Sequence, residues 1–309
     1  MRADSNSVQN IVVQLGSSIK IEPLCEAFGQ AIISEDSSVA LHVLEPSHVI
    51  QLYKLSGAVL FRGFNGGLEG FENFTKKFTT NYTVNGSLTR KPVSADGTTQ
   101  TVNAGDRLIP PHAEMAYTPF RPEMLWFYCE TPASRGGETL VCDGLDVWSR
   151  LNEPTKDLFL KHNVSYRKIF TKAQHDLDSM ALLWFGETID VSKIGEKLAR
   201  IPNTTLRIEE DAFHLDYTVS AVQKPKHHDS LAFANSVIVE DRTCFFENGE
   251  PVSRDLRLEL FYEATNCSLR HKWQAGDVIV IDNSRMMHGR ASFRDSGRKI
   301  LVRMGREAF

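Results

Sequence analysis

The chain has 309 residues, of which 41% are hydrophobic and 24% are charged, and its formal net charge at pH 7 is −4. This composition is typical of a globular protein and argues against a disordered or fibrous chain. Lys and Arg are scattered along the sequence rather than clustered, so there is no electrostatic footprint for nucleic acid or for an anionic membrane surface.

The lack of a recognisable targeting signal and the spacing of the cysteines both indicate the cytoplasm. No basic stretch near the start is followed by an apolar one, and no apolar run approaches the roughly 20 residues that a membrane span needs. The cysteines at 25, 129, 142, 244 and 267 are odd in number and lack CxxC spacing, so they indicate neither a disulfide framework nor a thiolate zinc site. We expect a cytoplasmic protein without membrane or nucleic-acid partners.

The first third of the chain alternates helical and strand patterns. The sequence contains no internal repeat or Pro/Ser-rich linker, which predicts one domain over residues 1–309. Apolar residues recur at helical spacing over 21–33, 46–56 and 68–79. The second of these segments runs into GAVLFRGF at 57–64, which predicts a short buried strand.

The remainder of the chain is dominated by short β-type runs. MLWFYCE and ETLVCD, within 106–143, are separated by turn signals and predict sheet, whereas 144–200 returns to helical spacing and predicts a helical insertion between strands. Further elements follow: strands within 206–224, 231–239, 273–283, 286–293 and 299–304, and a helix at 253–266. This order predicts a mainly β fold with flanking helices, an antiparallel sandwich or jelly roll.

The sharpest chemical feature is PPHAEMAY at 110–117. His112 and Glu114 are two residues apart, and in a strand such residues point to the same face. His288 follows a strongly apolar strand and a turn, where a third ligand can be presented. Two imidazoles and one carboxylate form the facial triad of non-haem Fe(II) oxygenases, which leaves coordination positions open for O2 chemistry.

Each part of this constellation has an alternative explanation. An HxE pair alone is usually a pair of solvated strand residues, and an isolated downstream histidine is equally unspecific. His214 and Asp216 form a rival HxD pair. The adjacent His227 and His228 would face opposite ways in a strand, so they could not both bind one metal.

Longer motifs surround the candidate ligands, and together they resemble one family. The segments are LFRGF at 60–64, IPPHAEMAY at 109–117, EMLWFYCETPASRGGETLVCDGLDVWSRL at 123–151, WFGET at 184–188 and WQAGDVIVIDNSRMMHGRASFRDSGRKILVRM at 273–304. They resemble the taurine dioxygenase (TauD/TfdA) superfamily, and within it the clavaminate synthase-like and SyrP-like branch that uses HxE. The resemblance spans roughly residues 50–305.

This resemblance implies a double-stranded β-helix core, a cupin-like jelly roll, and the cofactors Fe(II), 2-oxoglutarate and O2. It implies that His112, Glu114 and His288 are the iron ligands and that Thr139 bonds the distal carboxylate of 2-oxoglutarate. Arg298 is the favoured salt-bridge partner of that carboxylate, because a guanidinium fork can meet it with two hydrogen bonds. Arg303 is the second candidate, as an anchor for the cosubstrate or for a substrate carboxylate.

The implied activity is oxidation of an unactivated C–H bond coupled to conversion of 2-oxoglutarate into succinate and CO2. Hydroxylation of an amino acid or amino-acid-derived metabolite, free or tethered to a carrier protein, is the favoured outcome, with desaturation or epoxidation as alternatives. Halogenating relatives replace the carboxylate ligand with a small residue, so Glu114 disfavours halogenation. The segment from 213 to 235 departs from the aromatic motif of close relatives, which leaves the substrate open.

Three points stay open on the sequence alone. A redox-inactive jelly-roll protein that binds a metal or ligand is the alternative function, although a protein freed from catalysis has no reason to keep all four site residues. Arg90, Asn103 and Tyr117 lie near the ligand motif and are either pocket or scaffold residues. A homo-oligomer is compatible with the sequence.

Overall fold

Three β-sheets with helices packed outside them form the architecture of the computed structural model. The structure describes residues 18–87, 89–173, 176–178, 181, 193–240, 242–295 and 297–309. The strands are β1 Ile19–Pro23, β2 Gln30–Ser34, β3 Ala58–Arg62, β4 Asn81–Tyr82, β5 Gln100–Thr101, β6 Ile109–His112, β7 Met124–Thr131, β8 Thr139–Asp143, β9 Val164–Thr171, β10 Thr204–Ile208, β11 Ala212–Val219, β12 Cys244–Phe246, β13 Leu269–His271, β14 Val278–Asp282, β15 Met286–Arg290 and β16 Lys299–Arg306.

The helices are short and lie between these strands. They are α1 Pro46–Ser56, α2 Gly67–Thr75, α3 Gly144–Arg150, α4 Glu153–Lys161, α5 Ile194–Leu198 and α6 Arg254–Asn266, with a 3-10 turn at Leu41–Val43. In the part of the chain that the structure describes, no helix is both long and apolar enough to cross a bilayer. All five cysteines are free thiols.

Two sheets pack face to face and form the jelly-roll core, which confirms the predicted fold class. The large sheet has the order β1-β2-β3-β14-β7-β16-β4, with β5 also paired to β16, and the small sheet has the order β13-β8-β15-β6. Apolar side chains from both sheets, among them Phe127, Val141, Ile279, Met286 and Ile300, meet in one buried cluster. Burial of this apolar surface between the sheets is the main stabilising contribution.

Strand β7 shows how the sequence positions the layers. Its side chains alternate between faces, so Leu125 and Phe127 point into the jelly roll while Trp126 and Tyr128 point away from it. The outward side chains are covered by α1 and α2, whose apolar faces supply residues such as Phe74. A central strand that is buried on both sides explains the continuous apolar run MLWFYC.

The predicted helix at 21–33 is wrong, because this segment forms the antiparallel hairpin of β1 and β2. Gly29 has a φ of +78°, outside the helical region, and interrupts any helix over this segment. Parallel pairing of β2 with β3 then extends the large sheet. The predictions of helices near 46–56, 68–79 and 253–266 are confirmed by α1, α2 and α6.

The helical prediction for 144–200 is only partly correct. Residues 144–161 form α3 and α4, but 164–171 form strand β9, which joins the third sheet in the order β10-β11-β9-β12. The WFGET motif at 184–188 lies outside the described residues.

The predicted strand at 231–239 is also wrong. This segment forms a turn with a single bridge at Ala232. The Asn235 side chain bonds backbone groups here in place of a neighbouring strand: it accepts from Val237 N and donates to Ala221 O.

Candidate active site

Strand pairing brings the two candidate histidine ligands together. β6 and β15 are antiparallel neighbours in the small sheet, and His112 lies directly opposite His288. Their ring centroids are 4.5 Å apart. Gly289 permits this close approach, since a Cβ at that position would lie 2.5 Å from Ile109 O.

Glu114 reaches the same point from a turn rather than from a strand. β6 ends at His112, so the expectation that strand alternation aligns His112 with Glu114 is wrong. The Asn283 side chain fixes the turn instead, because its Oδ1 accepts from Glu114 N at 2.8 Å and its Nδ2 donates to Glu114 O at 2.9 Å. One potential ligand atom from each of His112, Glu114 and His288 lies within 4.8 Å of the other two.

The imidazoles are prepared for a ligand role. His112 Nδ1 lies 2.9 Å from Pro110 O, and since a carbonyl can only accept, Nδ1 carries the proton and Nε2 keeps its lone pair. Burial, followed by the nearby charge of His288, lowers the pKa of His112 to about 4. His288 Nε2 lies 3.6 Å from Glu114 Oε2, and its buried Nδ1 has no hydrogen-bond partner among the described residues.

The Glu114 carboxylate is held in its charged form. Burial alone would raise its pKa, but the Arg90 guanidinium and His288 outweigh burial and hold the pKa of this carboxyl well below its usual range. Arg90 Nη2 contacts both carboxylate oxygens, and Asn85 Nδ2 donates to Oε1 at 2.7 Å. The cluster therefore offers two imidazoles, that of His112 neutral, and one carboxylate.

A cavity that is partly open to solvent lies beside these ligands, with about 450 Å³ of empty space when its open part is included. Its polar lining includes Arg90, Asn103, Thr139, Arg290 and Arg298, and its apolar lining is Val102, Ile109, Phe127 and Ile300. Arg90 and Asn103 are thus pocket residues, whereas Tyr117 lies outside this lining and packs under the Lys168 ammonium at 4.2 Å.

Thr139 and Arg298 face the cavity from neighbouring segments. Thr139 opens β8 and accepts a hydrogen bond of 2.9 Å from Trp273 Nε1, so its own hydroxyl proton remains available for a ligand. Arg298 Nε donates to Gly137 O at 3.1 Å. Burial, and then the charge of Arg290, lowers the pKa of Arg298 to about 10. Two guanidinium groups without a carboxylate partner among the described residues form a site that an anion would stabilise.

Arg303 does not line this cavity. It lies in β16 with its side chain on the face opposite Ile300, as strand alternation requires. Its guanidinium is 1% exposed and donates to Glu72 O, Thr75 Oγ1 and Thr98 Oγ1. We therefore correct the expectation that Arg303 anchors a carboxylate, because its hydrogen bonds are made to the core instead.

The rival histidines are engaged elsewhere. His214 Nε2 lies 3.1 Å from Glu209 Oε2, and Asp216 binds Arg167 at 2.8 Å. His227 Nε2 lies 2.9 Å from the buried Glu307 carboxylate. Among the described residues, His112, Glu114 and His288 form the one group of His, Cys, Asp and Glu with metal-ligand spacing.

Sequence reasoning missed four residues that shape the site. Asn85 and Asn283 position Glu114, while Arg290 and Phe127 line the cavity. Arg290 carried a signal, since it lies two residues after His288 in a strand and therefore shares its face. The asparagines carried none, because their contacts depend on tertiary structure.

Comparisons with known proteins place the chain in one family. A sequence model of the taurine catabolism dioxygenase TauD, TfdA family matches residues 20–304. A clavaminate synthase-like protein of Arabidopsis thaliana is 26% identical over 80% of this chain and 81% of its own length. The 3-((Z)-2-isocyanoethenyl)-1H-indole synthase of Fischerella ambigua is 26% identical over 63% of this chain and 62% of its own length.

A solved structure supports the fold over nearly the whole chain. It is that of PvcB, an Fe, alpha-ketoglutarate dependent oxygenase from an isonitrile synthetic pathway, a protein of Pseudomonas aeruginosa. The TM-score is 0.60 at 14% identity, with 98% of this chain and 94% of the PvcB chain covered.

Proposed function

The chain belongs to the taurine catabolism dioxygenase TauD/TfdA family, and we propose that it is an Fe(II)- and 2-oxoglutarate-dependent oxygenase with iron held by His112, Glu114 and His288. The observation that carries this proposal is the convergence of the three side chains, with ligand atoms within 4.8 Å of one another. Their donor set is the two-histidine, one-carboxylate triad of non-haem iron enzymes.

The residues present fit this metal. His112 has its proton on the nitrogen that bonds Pro110 O, His288 keeps a buried nitrogen without a partner, and Glu114 is ionised. His112 therefore needs to release no proton to bind a metal at neutral pH, and the Glu114 carboxylate is already charged. Asn85 and Arg90 fix the carboxylate from outside and so set its orientation toward the metal.

Thr139 and Arg298 suit the far carboxylate of 2-oxoglutarate. Arg298 can present two parallel N–H donors, and Thr139 can add a hydroxyl donor in the same cavity. The apolar side chains of Phe127 and Ile300 line that cavity and lower the local dielectric around these interactions. The protein thereby binds the cosubstrate at one end and leaves its oxo acid end to face the triad.

With iron bound, this site would supply the reaction of O2 with 2-oxoglutarate, which gives succinate and CO2. One oxygen atom of O2 enters succinate, and the other is inserted into a C–H bond of the substrate. The residues of this chain orient the reactants and restrict water. Glu114 occupies the carboxylate position of the triad, which favours hydroxylation over halogenation. Oxidative desaturation is the second candidate, because one relative is named as the synthase of an ethenyl indole.

A small organic molecule is the proposed substrate, and an amino acid or amino-acid derivative is the favoured class. Two relatives support this choice by name, the isocyanoethenyl indole synthase and the dapdiamide synthesis protein DdaC of Enterobacter agglomerans. A free amino acid and one tethered to a carrier protein are both compatible with the site.

The test is anaerobic addition of Fe(II) and 2-oxoglutarate to the metal-free protein. We expect the weak visible charge-transfer band of the iron chelate, and we expect His288→Ala to lose it. His228→Ala is the matched control, since His228 lies outside the cavity and should leave the band unchanged. A folded wild-type protein that gives no band would overturn the proposal and favour the redox-inactive binding protein.

A substrate screen follows once the band is present. Succinate release is measured with free amino acids and with the same amino acids as carrier-bound thioesters. A group of compounds that raises the rate of succinate release above the rate without substrate identifies the substrate class. Mass spectrometry of the product then distinguishes hydroxylation, which adds one oxygen atom, from desaturation, which removes two hydrogen atoms.

A further inference from the structure

A second concave surface adjoins the candidate active site. It is a groove of about 1300 Å³, open to solvent, formed by residues 89–106 and 290–300. Arg290, Arg298, Asn103, Val102 and Ile300 line both this groove and the cavity beside the triad. The groove therefore ends at the two guanidinium groups that are proposed to meet the far end of 2-oxoglutarate.

The groove is positive although the whole protein is negative. Five cationic side chains and two carboxylates line it, whereas the formal net charge of the chain is −4. One of those carboxylates, Asp295, already accepts hydrogen bonds from Ser134 N and Gly297 N, each at 2.7 Å. A dianion approaching this surface meets a favourable potential.

Two of the cations, Lys91 and Arg294, are exposed at the groove. Neither has a carboxylate within ion-pair distance among the described residues, whereas Lys299 pairs with Glu130 at 2.6 Å. Cations with no local partner contribute most to attraction at a distance, because nothing nearby cancels their field. Among the described residues, neither side chain forms a hydrogen bond or ion pair that its replacement would remove, and Lys91 is tied to Thr101 only through its backbone.

Phe293 organises the inner end of the groove. The Arg290 guanidinium lies 5.4 Å from its ring centroid and that of Arg298 lies 5.2 Å from it. The ring thus keeps both cations at the boundary between groove and cavity. Another surface hollow contains Glu26, Asp143 and Asp146, with Arg285 already paired to Asp143, and offers a dianion no comparable attraction.

We propose that 2-oxoglutarate approaches the cavity through this groove with its oxo acid end leading, so that its far carboxylate stops at Arg298, and that Lys91 and Arg294 accelerate its association. This inference rests on the proposed function, because it takes 2-oxoglutarate as the cosubstrate. Lys91 and Arg294 raise the rate of association of 2-oxoglutarate, whereas Arg298 stabilises the bound complex.

The experiment is stopped-flow measurement of the Fe(II)–2-oxoglutarate band under anaerobic conditions over a series of NaCl concentrations. The variant is Lys91→Glu/Arg294→Glu. The matched control is Lys224→Glu/Arg254→Glu, which changes the net charge equally at exposed positions outside the groove and the cavity. We expect the groove variant to associate about tenfold more slowly at low salt, with a flatter salt dependence, and the control to stay close to wild type.

Three outcomes would overturn the inference. The groove variant and the control could slow equally, which would assign the effect to net charge. The groove variant could associate at the wild-type rate and only dissociate faster, which would make the cations binding groups rather than steering groups. It could also match wild type in both rates. Absence of the band from every protein, wild type included, would instead contradict the proposed function.

Discussion

Arg90 Nη2 lies 3.0 Å from Oε1 and 2.9 Å from Oε2 of Glu114, and the two side chains are 6% and 4% exposed. Arg90 Nε also donates to Asn103 Oδ1 at 2.6 Å, which orients the guanidinium. The carboxylate proposed to bind iron therefore has a buried counter-charge supplied by the protein itself. Removal of one member of such a pair leaves an uncompensated buried charge.

Replacement of Arg90 should destabilise the metal-free protein more than the metal-loaded one. We expect Arg90→Met to lower the free energy of unfolding of the metal-free protein by about 3–5 kcal/mol, because Glu114 loses its counter-charge. A bound divalent cation neutralises the same carboxylate, so metal should recover part of the loss. Thermal unfolding with and without Mn(II) measures both values. Equal losses with and without metal would contradict the electrostatic role, and Arg90→Lys serves as the charge-conserving control.

Two ligand substitutions should separate catalysis from stability. The sequence alone predicts that His112→Ala and Glu114→Ala abolish iron-dependent turnover and leave the fold largely intact. The structure predicts different stability losses for the two variants. Glu114→Ala leaves the buried Arg90 guanidinium without its counter-charge, whereas the hydrogen bond of His112 is made to a backbone carbonyl. We expect no succinate release from either variant, but a stability loss greater than about 2 kcal/mol only for Glu114→Ala. Chemical denaturation of the metal-free proteins checks this, and matching midpoints would refute the distinction.

Arg298→Lys should weaken 2-oxoglutarate binding without unfolding the protein. Lysine keeps the charge but loses the two-donor fork, and a charged hydrogen bond is worth about 1.5–3 kcal/mol, which corresponds to roughly 10- to 100-fold in affinity. Titration of the charge-transfer band with 2-oxoglutarate gives the dissociation constant. An unchanged constant would remove Arg298 from the cosubstrate site and leave Arg290 as the cavity arginine to test next.

Arg303→Met should lower the stability of the protein and leave its affinity for 2-oxoglutarate unchanged. Its guanidinium donates to Glu72, Thr75 and Thr98 and packs over the Tyr82 ring at 4.0 Å, so the substitution should cost on the order of 2–3 kcal/mol of stability. The 2-oxoglutarate dissociation constant of the folded fraction should stay within about twofold of wild type, since 0.4 kcal/mol corresponds to about that change. A selective loss of cosubstrate affinity at normal stability would restore the expectation that Arg303 is an anchor.

The convergence of His112, Glu114 and His288 could be anticipated because its signals are local in sequence. HxE spacing, a distal histidine after an apolar strand and a downstream arginine are each legible without coordinates. The position of Arg303 could have been derived by the same means, since strand alternation from Ile300 places it on the other face. Arg298 precedes the regular strand, where that alternation does not apply.

The support of Glu114 could not be anticipated. The turn that presents this residue is fixed by the Asn283 amide, 169 positions away, and its charge is balanced by Arg90. The hairpin at 19–34 likewise depends on pairing with β3, which local apolar spacing does not encode. Such features arise from long-range contacts that override local propensity.

The direct opposition of His112 and His288 across β6 and β15 means that the proposed metal site forms only when the two strands are correctly aligned. If the two strands were displaced by a single residue, one imidazole would turn to the far side of the small sheet and the triad would be incomplete. A divalent metal that binds only the complete triad would then stabilise the correctly aligned chain over every displaced one.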